Sequence, residues 1–118
     1  MTRVLVVEDN FENLELVRCL LEFKGYPSEP AMDGERALEL ANKYIFDLIL
    51  LDIQLPKIDG FEVIRRLKET INSNTPIIAV TACAMKGDEK KLLSQGCAHY
   101  LAKPFGVTQF YDAISLCL

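Results

Sequence analysis

Five residues of chemical interest each follow a short stretch that reads as a strand. Glu8 and Asp9 come after Val4–Val7, Asp52 after Leu48–Leu51, Thr81 after Ile77–Val80, and Lys103 just past Ala98–Leu101. Three carboxylates brought to one place repel one another unless something positive sits among them. A hard divalent ion with oxygen ligands answers that need, and Mg²⁺ commonly binds one or two carboxylates, several waters and a phosphate. The Thr81 hydroxyl can donate a hydrogen bond, and Lys103 supplies a compact positive charge. Together they make a site for an oxyanion such as a phosphoryl group. An aspartate in that company is a candidate nucleophile whose product is an acyl phosphate. Asp52 stands out because a carboxylate at the end of an apolar run, with no cation beside it in sequence, costs stability unless it serves a purpose.

The elements that must position these residues alternate along the chain. Val4–Val7 is too brief for a helix and apolar throughout, which fits a strand covered on both faces. Asp9 or Asn10 can cap a first helix carrying Phe11, Leu14, Val17, Leu20 and Leu21 at helical spacing, and Gly25 stops it. Residues 26–32 form a strand interrupted by Pro27 and Pro30, which belongs at a sheet edge because proline cannot donate to a ladder. Asp33-Gly34 opens a second helix with Ala37, Leu38, Ala41 and Tyr44 on one face. A buried strand over 47–51 runs into Asp52, and a loop from Ile53 to Gly60 leads to a third helix with Val63, Ile64, Leu67 and Ile71 in phase. The fourth strand covers 77–80 and the fourth helix 86–95, closed by Gly96. The fifth strand covers 98–101, and the fifth helix 105–117 aligns Phe110, Ala113, Ile114 and Cys117.

Strand and helix thus alternate five times with short connections. The pattern predicts an α/β fold, a (βα)5 three-layer sandwich with a five-stranded parallel sheet, because right-handed crossovers place helices on both faces. The proline-broken strand fits the edge of the order 2-1-3-4-5, and ligands in such sheets sit outside the carboxyl ends of the strands. Those ends carry Glu8, Asp9, Asp52, Thr81 and Lys103.

The 118 residues suffice for one domain, assigned as 1–118. Half are hydrophobic and 25% charged, which excludes a disordered chain. Thirteen Lys and Arg against seventeen Asp and Glu give a net charge of −4, which argues against direct nucleic-acid binding. No apolar run approaches the roughly 20 residues of a membrane span. The start turns acidic at Glu8, too early for a signal-peptide core, so a cytoplasmic location is expected. Cys19, Cys83, Cys97 and Cys117 include no Cys-x-x-Cys pair, and their expected role is that of small hydrophobes in a reducing compartment.

The motifs Val7-Glu8-Asp9-Asn10, Asp52-Ile-Gln-Leu-Pro56 running on to Asp59-Gly60, Thr81-Ala82 and Lys103-Pro104-Phe105 resemble those of response-regulator receiver domains, the CheY-like family, over essentially the whole chain. That resemblance implies a flavodoxin-like fold. It also implies that Asp52 accepts a phosphoryl group from the phosphohistidine of a partner histidine kinase or phosphotransfer protein. Asp9 and Asp52, with the backbone carbonyl of Gln54, would hold Mg²⁺, and Glu8 would assist through a water. Thr81 and Lys103 would hold phosphate oxygens. Tyr100 falls at the family's switch-aromatic position, turning inward when Thr81 moves. The change would be read by a downstream protein, so the domain catalyses only its own phosphorylation and dephosphorylation.

Residues 8–13 and 81–89 further resemble stand-alone DivK-like regulators and the receivers of hybrid histidine kinases. The last helix bears no charge but Asp112, unlike receivers of DNA-binding regulators, which argues for a monomer or weak dimer. Two other readings stay open. A Mg²⁺-dependent phosphatase with an aspartate nucleophile wants an acid two residues on, where this chain has Gln54. A phosphorylation-independent interaction domain would leave the acid set without a role. His99, the sole histidine, reads as a strand-end surface residue. Cys83 stands near the site with either a packing role or a role in water access. Lys86, Lys90 and Lys91 read as a solvated face. Tyr111 and Leu118 fall off the core face of the last helix, either as a partner surface or as the mark of a cut from a longer chain.

Overall fold

The computed structural model describes residues 3–55, 57–82 and 86–118. The short apolar runs form strands β1 (Val4–Val7), β2 (Ser28–Ala31), β3 (Leu48–Asp52), β4 (Ile77–Thr81) and β5 (His99–Ala102). Helices α1 (Phe11–Phe23), α2 (Gly34–Lys43), α3 (Gly60–Leu67), α4 (Lys86–Ser94) and α5 (Val107–Ser115) follow them in turn. All strand pairs are parallel, in the order β2-β1-β3-β4-β5. The proline-bearing strand takes the edge, as its missing donors require.

Side-chain alternation sends each strand's residues into two separate cores. Leu5, Val7, Ile49, Leu51, Ile77 and Ala79 face α2, α3 and α4. Val4, Val6, Leu48, Leu50, Ile78 and Val80 face α1 and α5. Because both faces are covered, the central strands read as unbroken apolar runs.

Local signals set the helix boundaries. The Asn10 side chain accepts the Asn13 N–H at 3.0 Å and starts α1. Asp33 caps α2 through the Arg36 N–H at 2.8 Å. Gly25 (φ 79°) and Gly96 (φ 99°) follow α1 and α4 in the left-handed conformation that glycine adopts without steric cost.

Some expected core positions lie elsewhere. Phe11 is 63% exposed, since the first turn of α1 rises beyond the end of β1; Leu14, Val17 and Leu21 make the buried stripe. In α2, Leu40 joins Ala37 and Ala41 in the core, while Tyr44 is the C-terminal cap. Helix α3 ends at Leu67 and the chain turns through Thr70, leaving Ile71 exposed. Tyr111 is half-buried, and its hydroxyl donates to the Leu20 carbonyl at 2.8 Å, tying α5 to α1. Lys90 and Lys91 are both exposed, as expected of a solvated face, and the Lys91 ammonium lies 4.0 Å from the Phe61 ring centroid. Cys97 is buried, Cys117 half-buried and Cys19 exposed, all as free thiols. Cys83, Pro56 and the Lys86 side chain lie outside the described residues. Among the described residues, no helix is long and apolar enough to cross a membrane.

At the amino end of the sheet, a polar hub joins two loops. Asn72 is 1% exposed, and its carboxamide oxygen accepts the Phe46 N–H at 2.7 Å and the Thr75 hydroxyl at 3.0 Å. Its amide donates to the Ala41 and Tyr44 carbonyls at 2.6 and 2.7 Å. The turn before β3 and the turn before β4 are thereby fixed together, which fixes how far each strand reaches towards the opposite edge.

Candidate functional site

A two-residue period explains how three side chains meet at the carboxyl edge. Val4 and Val6 face α1 and α5, so Glu8 points to the same side; Leu48 and Leu50 do the same for Asp52, and Leu101 for Lys103. The Lys103 ammonium donates to Glu8 Oε1 at 3.0 Å and to Asp52 Oδ2 at 3.1 Å. Both carboxylates are 4% exposed. Asn13, in the first turn of α1, donates its side-chain amide to Glu8 Oε1 at 3.0 Å. The Gln54 N–H closes a tight turn onto Asp52 Oδ1 at 2.9 Å, and the Gln54 side chain is exposed.

The backbone holds these groups in register. The Lys103 N–H donates to the Thr81 carbonyl at 2.8 Å, and the Ile53 N–H to the Val80 carbonyl at 3.0 Å. Asp52 pairs with Val80, and Thr81 with Ala102. Past Asp52, the Gly60 N–H returns to the Ile53 carbonyl at 3.2 Å. A Cβ on Gly60 would stand 2.4 Å from that oxygen, so the loop closes only with glycine there.

Thr81 is buried and continues the line of Ile77 and Ala79 on the α2–α4 side. Tyr100 pairs with Ala79 and packs half-buried against that same core. Thr81 and Tyr100 are therefore diagonal neighbours on one face. The His99 ring sits 5.9 Å from Tyr100 at the start of β5, and His99 is half-buried rather than a surface residue.

Charge crowding perturbs the site. Burial pushes the Glu8 carboxyl up to about 7, and the neighbouring Asp52 acts in the same direction; hydrogen bonds from Lys103 and Asn13 oppose the rise without cancelling it. Burial alone would lower the Lys103 ammonium, but its contacts with Glu8 and Asp52 outweigh that and hold it above its ordinary value.

Oxygens of Glu8, Asp9 and Asp52 all lie within 4.8 Å of one another, and Asp9 is exposed. An all-carboxylate donor set with one member open to water fits a hard divalent cation that keeps part of its hydration shell. Asn13 is the residue that sequence reading missed. Its one available signal is its place in the first turn of a helix that starts right after Asp9, where side chains lean back towards the sheet edge.

Residues 4–115 match the family model of the response regulator receiver domain. The chain belongs to this family.

Among curated relatives, the receiver is similar to the polar-differentiation response regulator DivK of Brucella anthropi. They share 46% identity over 112 residues, covering 94% of this chain and 91% of the relative. Among solved structures, the receiver domain of the sensor histidine kinase PA1611 from Pseudomonas aeruginosa superposes with a TM-score of 0.89 at 34% identity, covering 98% and 96% of the two chains. That structure has a magnesium ion coordinated in its active-site cleft. A response regulator from Burkholderia pseudomallei, with a phosphorylated aspartic acid and a calcium ion, gives a TM-score of 0.86 at 27% identity over 100% of this chain and 66% of its own. The receiver thus resembles both a DivK regulator and the receiver of a sensor kinase.

Proposed function

We propose that this receiver, with residues 1–118 acting as one domain, is switched by transfer of a phosphoryl group to Asp52. The observation that carries the reading is the placement of Asp52 within reach of both the Glu8–Asp9 pair and Lys103. Asp9, Asp52 and the Gln54 carbonyl would hold Mg²⁺, with Glu8 behind a water; when bound, it supplies the positive charge that lets an anionic carboxylate meet an anionic phosphoryl group.

An Asp52 carboxylate oxygen attacks the phosphorus of a phosphohistidine on a histidine kinase or phosphotransfer protein. A new P–O bond forms as the P–N bond breaks, and its electron pair stays on the imidazole, which takes a proton from water. Lys103 then exchanges its contact with Asp52 Oδ2 for one with a phosphoryl oxygen. The Thr81 hydroxyl donates to another. Hydrolysis reverses the state when water attacks phosphorus and the Asp52 carboxylate leaves.

Movement of Thr81 opens space on the face it shares with Tyr100, whose ring then turns inward. The surface around α4, β5 and α5 changes with it, and a downstream protein reads the change. The domain acts on its own aspartate rather than on an outside ester, in keeping with an amide rather than an acid at Gln54.

Phosphorus NMR of the chain with Mg²⁺ and phosphoramidate, a donor that is not itself an acyl phosphate, tests this reading. A protein-bound acyl-phosphate resonance that fails to form when Mg²⁺ is chelated beforehand is expected. Its absence from folded protein would overturn the assignment.

A further inference from the structure

Directly beneath the carboxylates, on the α1–α5 side, lies a cavity of about 420 Å³. Strand alternation builds it. Val6, Leu50 and Val80 form its floor, and two of them stand two residues before Glu8 and Asp52 on the same face. Val17 of α1 and Phe110 of α5 line its walls, with Phe105 stacked on Phe110 at 5.8 Å. Leu16, 54% exposed, stands at the rim. Glu8, Asp52 and Lys103 close the remaining side. An apolar chamber of a few hundred cubic ångströms with a few convergent polar groups is the usual form of a small-molecule site.

We propose that this cavity binds a small amphipathic ammonium, with its apolar body in the chamber and its cationic head on Glu8 and Asp52. The choice of head follows from the charges lining the cavity. With both carboxylates ionised, as above about pH 7, they outweigh the one lysine, so a second cation is attracted and a carboxylate head is repelled. An ionised carboxylate offers about four lone-pair sites, so both can take donors beyond those from Lys103, Asn13 and Gln54. The choice of body follows from the floor and walls, which give water few partners and release it when an apolar group enters.

Because head and metal would use the same carboxylates, the ligand competes with a divalent cation and holds the receiver out of its phosphoryl-accepting state. The competition is reciprocal, each weakening the other by the same factor. Binding is measured without a phosphodonor, so its failure would leave the phosphoryl reading untouched.

The test is a titration of the isotope-labelled full chain with phenylbutylamine at pH 8, followed by amide NMR. Phenylbutyrate has the same body with the opposite charge, and butylamine has the same head without the ring. Saturable shifts around Val17, Leu50 and Val80 are expected with the amine. Loss of a charge-assisted contact should weaken binding about tenfold or more for phenylbutyrate. Mg²⁺ should raise the apparent dissociation constant of the amine. Val17→Phe should fill the chamber and abolish binding; if it does not fold, Leu16→Ser, on the exposed rim, should still weaken it. Equal binding of phenylbutyrate, indifference to Mg²⁺ and to Leu16→Ser, or no saturable shift would overturn the proposal.

Discussion

Replacing Lys103 with methionine keeps much of the side chain's bulk but removes the ammonium that lies 3.0 Å from Glu8 and 3.1 Å from Asp52. The account predicts that the variant binds Mg²⁺ more tightly than wild type. A Mg²⁺–oxygen bond is about 2.1 Å, so an ion on Asp52 Oδ2 lies no more than about 5 Å from the lysine nitrogen. At that distance a double charge and a single charge repel by about 1.6 kcal/mol even in the dielectric of bulk water, and by more in the partly buried site. Part of the gain is lost, because without Lys103 the metal-free carboxylates hold a proton more firmly. A net tightening of about 1–1.5 kcal/mol, or five- to tenfold, remains. Metal-free Lys103→Met should also lose about 1–3 kcal/mol of stability, since Glu8 and Asp52 keep their burial without their cation. Saturating Mg²⁺ should restore most of it by mass action. Calorimetric titration of both proteins at pH 8, paired with urea unfolding, reads both effects. A folded variant with unchanged or weaker Mg²⁺ affinity would refute the electrostatic argument.

The Glu8 carboxyl is raised from 4.5 to about 7 in the folded chain, so the proton binds the folded state more tightly than the unfolded one. Its contribution to metal-free stability is full below about pH 4.5 and is lost as pH rises through about 7, at most about 3 kcal/mol in all. Glu8→Gln should flatten that slope in urea melts across the window, and an unchanged slope would contradict the assignment. If Glu8 helps hold Mg²⁺ as proposed, the metal binds the ionised form, so wild-type affinity should fall on acidification below about pH 7, as calorimetry at several pH values would read. Asn72→Ala strands the Phe46 N–H and the Ala41 and Tyr44 carbonyls, and should cost about 3–4 kcal/mol in urea unfolding. A loss below about 1 kcal/mol would mean that water replaces the hub.

Whatever depends on residue period was legible in the sequence. Apolar runs and their caps fix five strands and five helices, and strand ends name Glu8, Asp9, Asp52, Thr81 and Lys103 before any fold is seen. The two prolines place β2 at the edge because the missing donor is a local property. Two misreadings share one cause, which is that periodicity does not say where a neighbouring layer ends. Phe11 and Ile71 continue their helical stripes beyond what α1 and α3 can cover. Contacts between distant segments left no local trace. Asn72 bonds across 26 to 31 residues to Phe46, Tyr44 and Ala41. Tyr111 reaches Leu20, and Asn13 reaches Glu8 only because α1 leans on the sheet edge. The cavity beside Asp52 was illegible for a further reason, since it depends on the space left between α1 and α5 and not on any residue type.

The central claim is that Asp52 is the phosphoryl acceptor, and intact-mass spectrometry after exposure to Mg²⁺ and a small phosphodonor tests it most directly. Wild-type protein should gain a single phosphoryl group that hydroxylamine removes, as expected of an acyl phosphate, and fragmentation should place it on Asp52. Asp52→Asn, which keeps the shape of the side chain without its nucleophilic charge, should gain none. Labelling of Asp52→Asn to the wild-type level, or a label placed elsewhere in the wild type, would contradict the account.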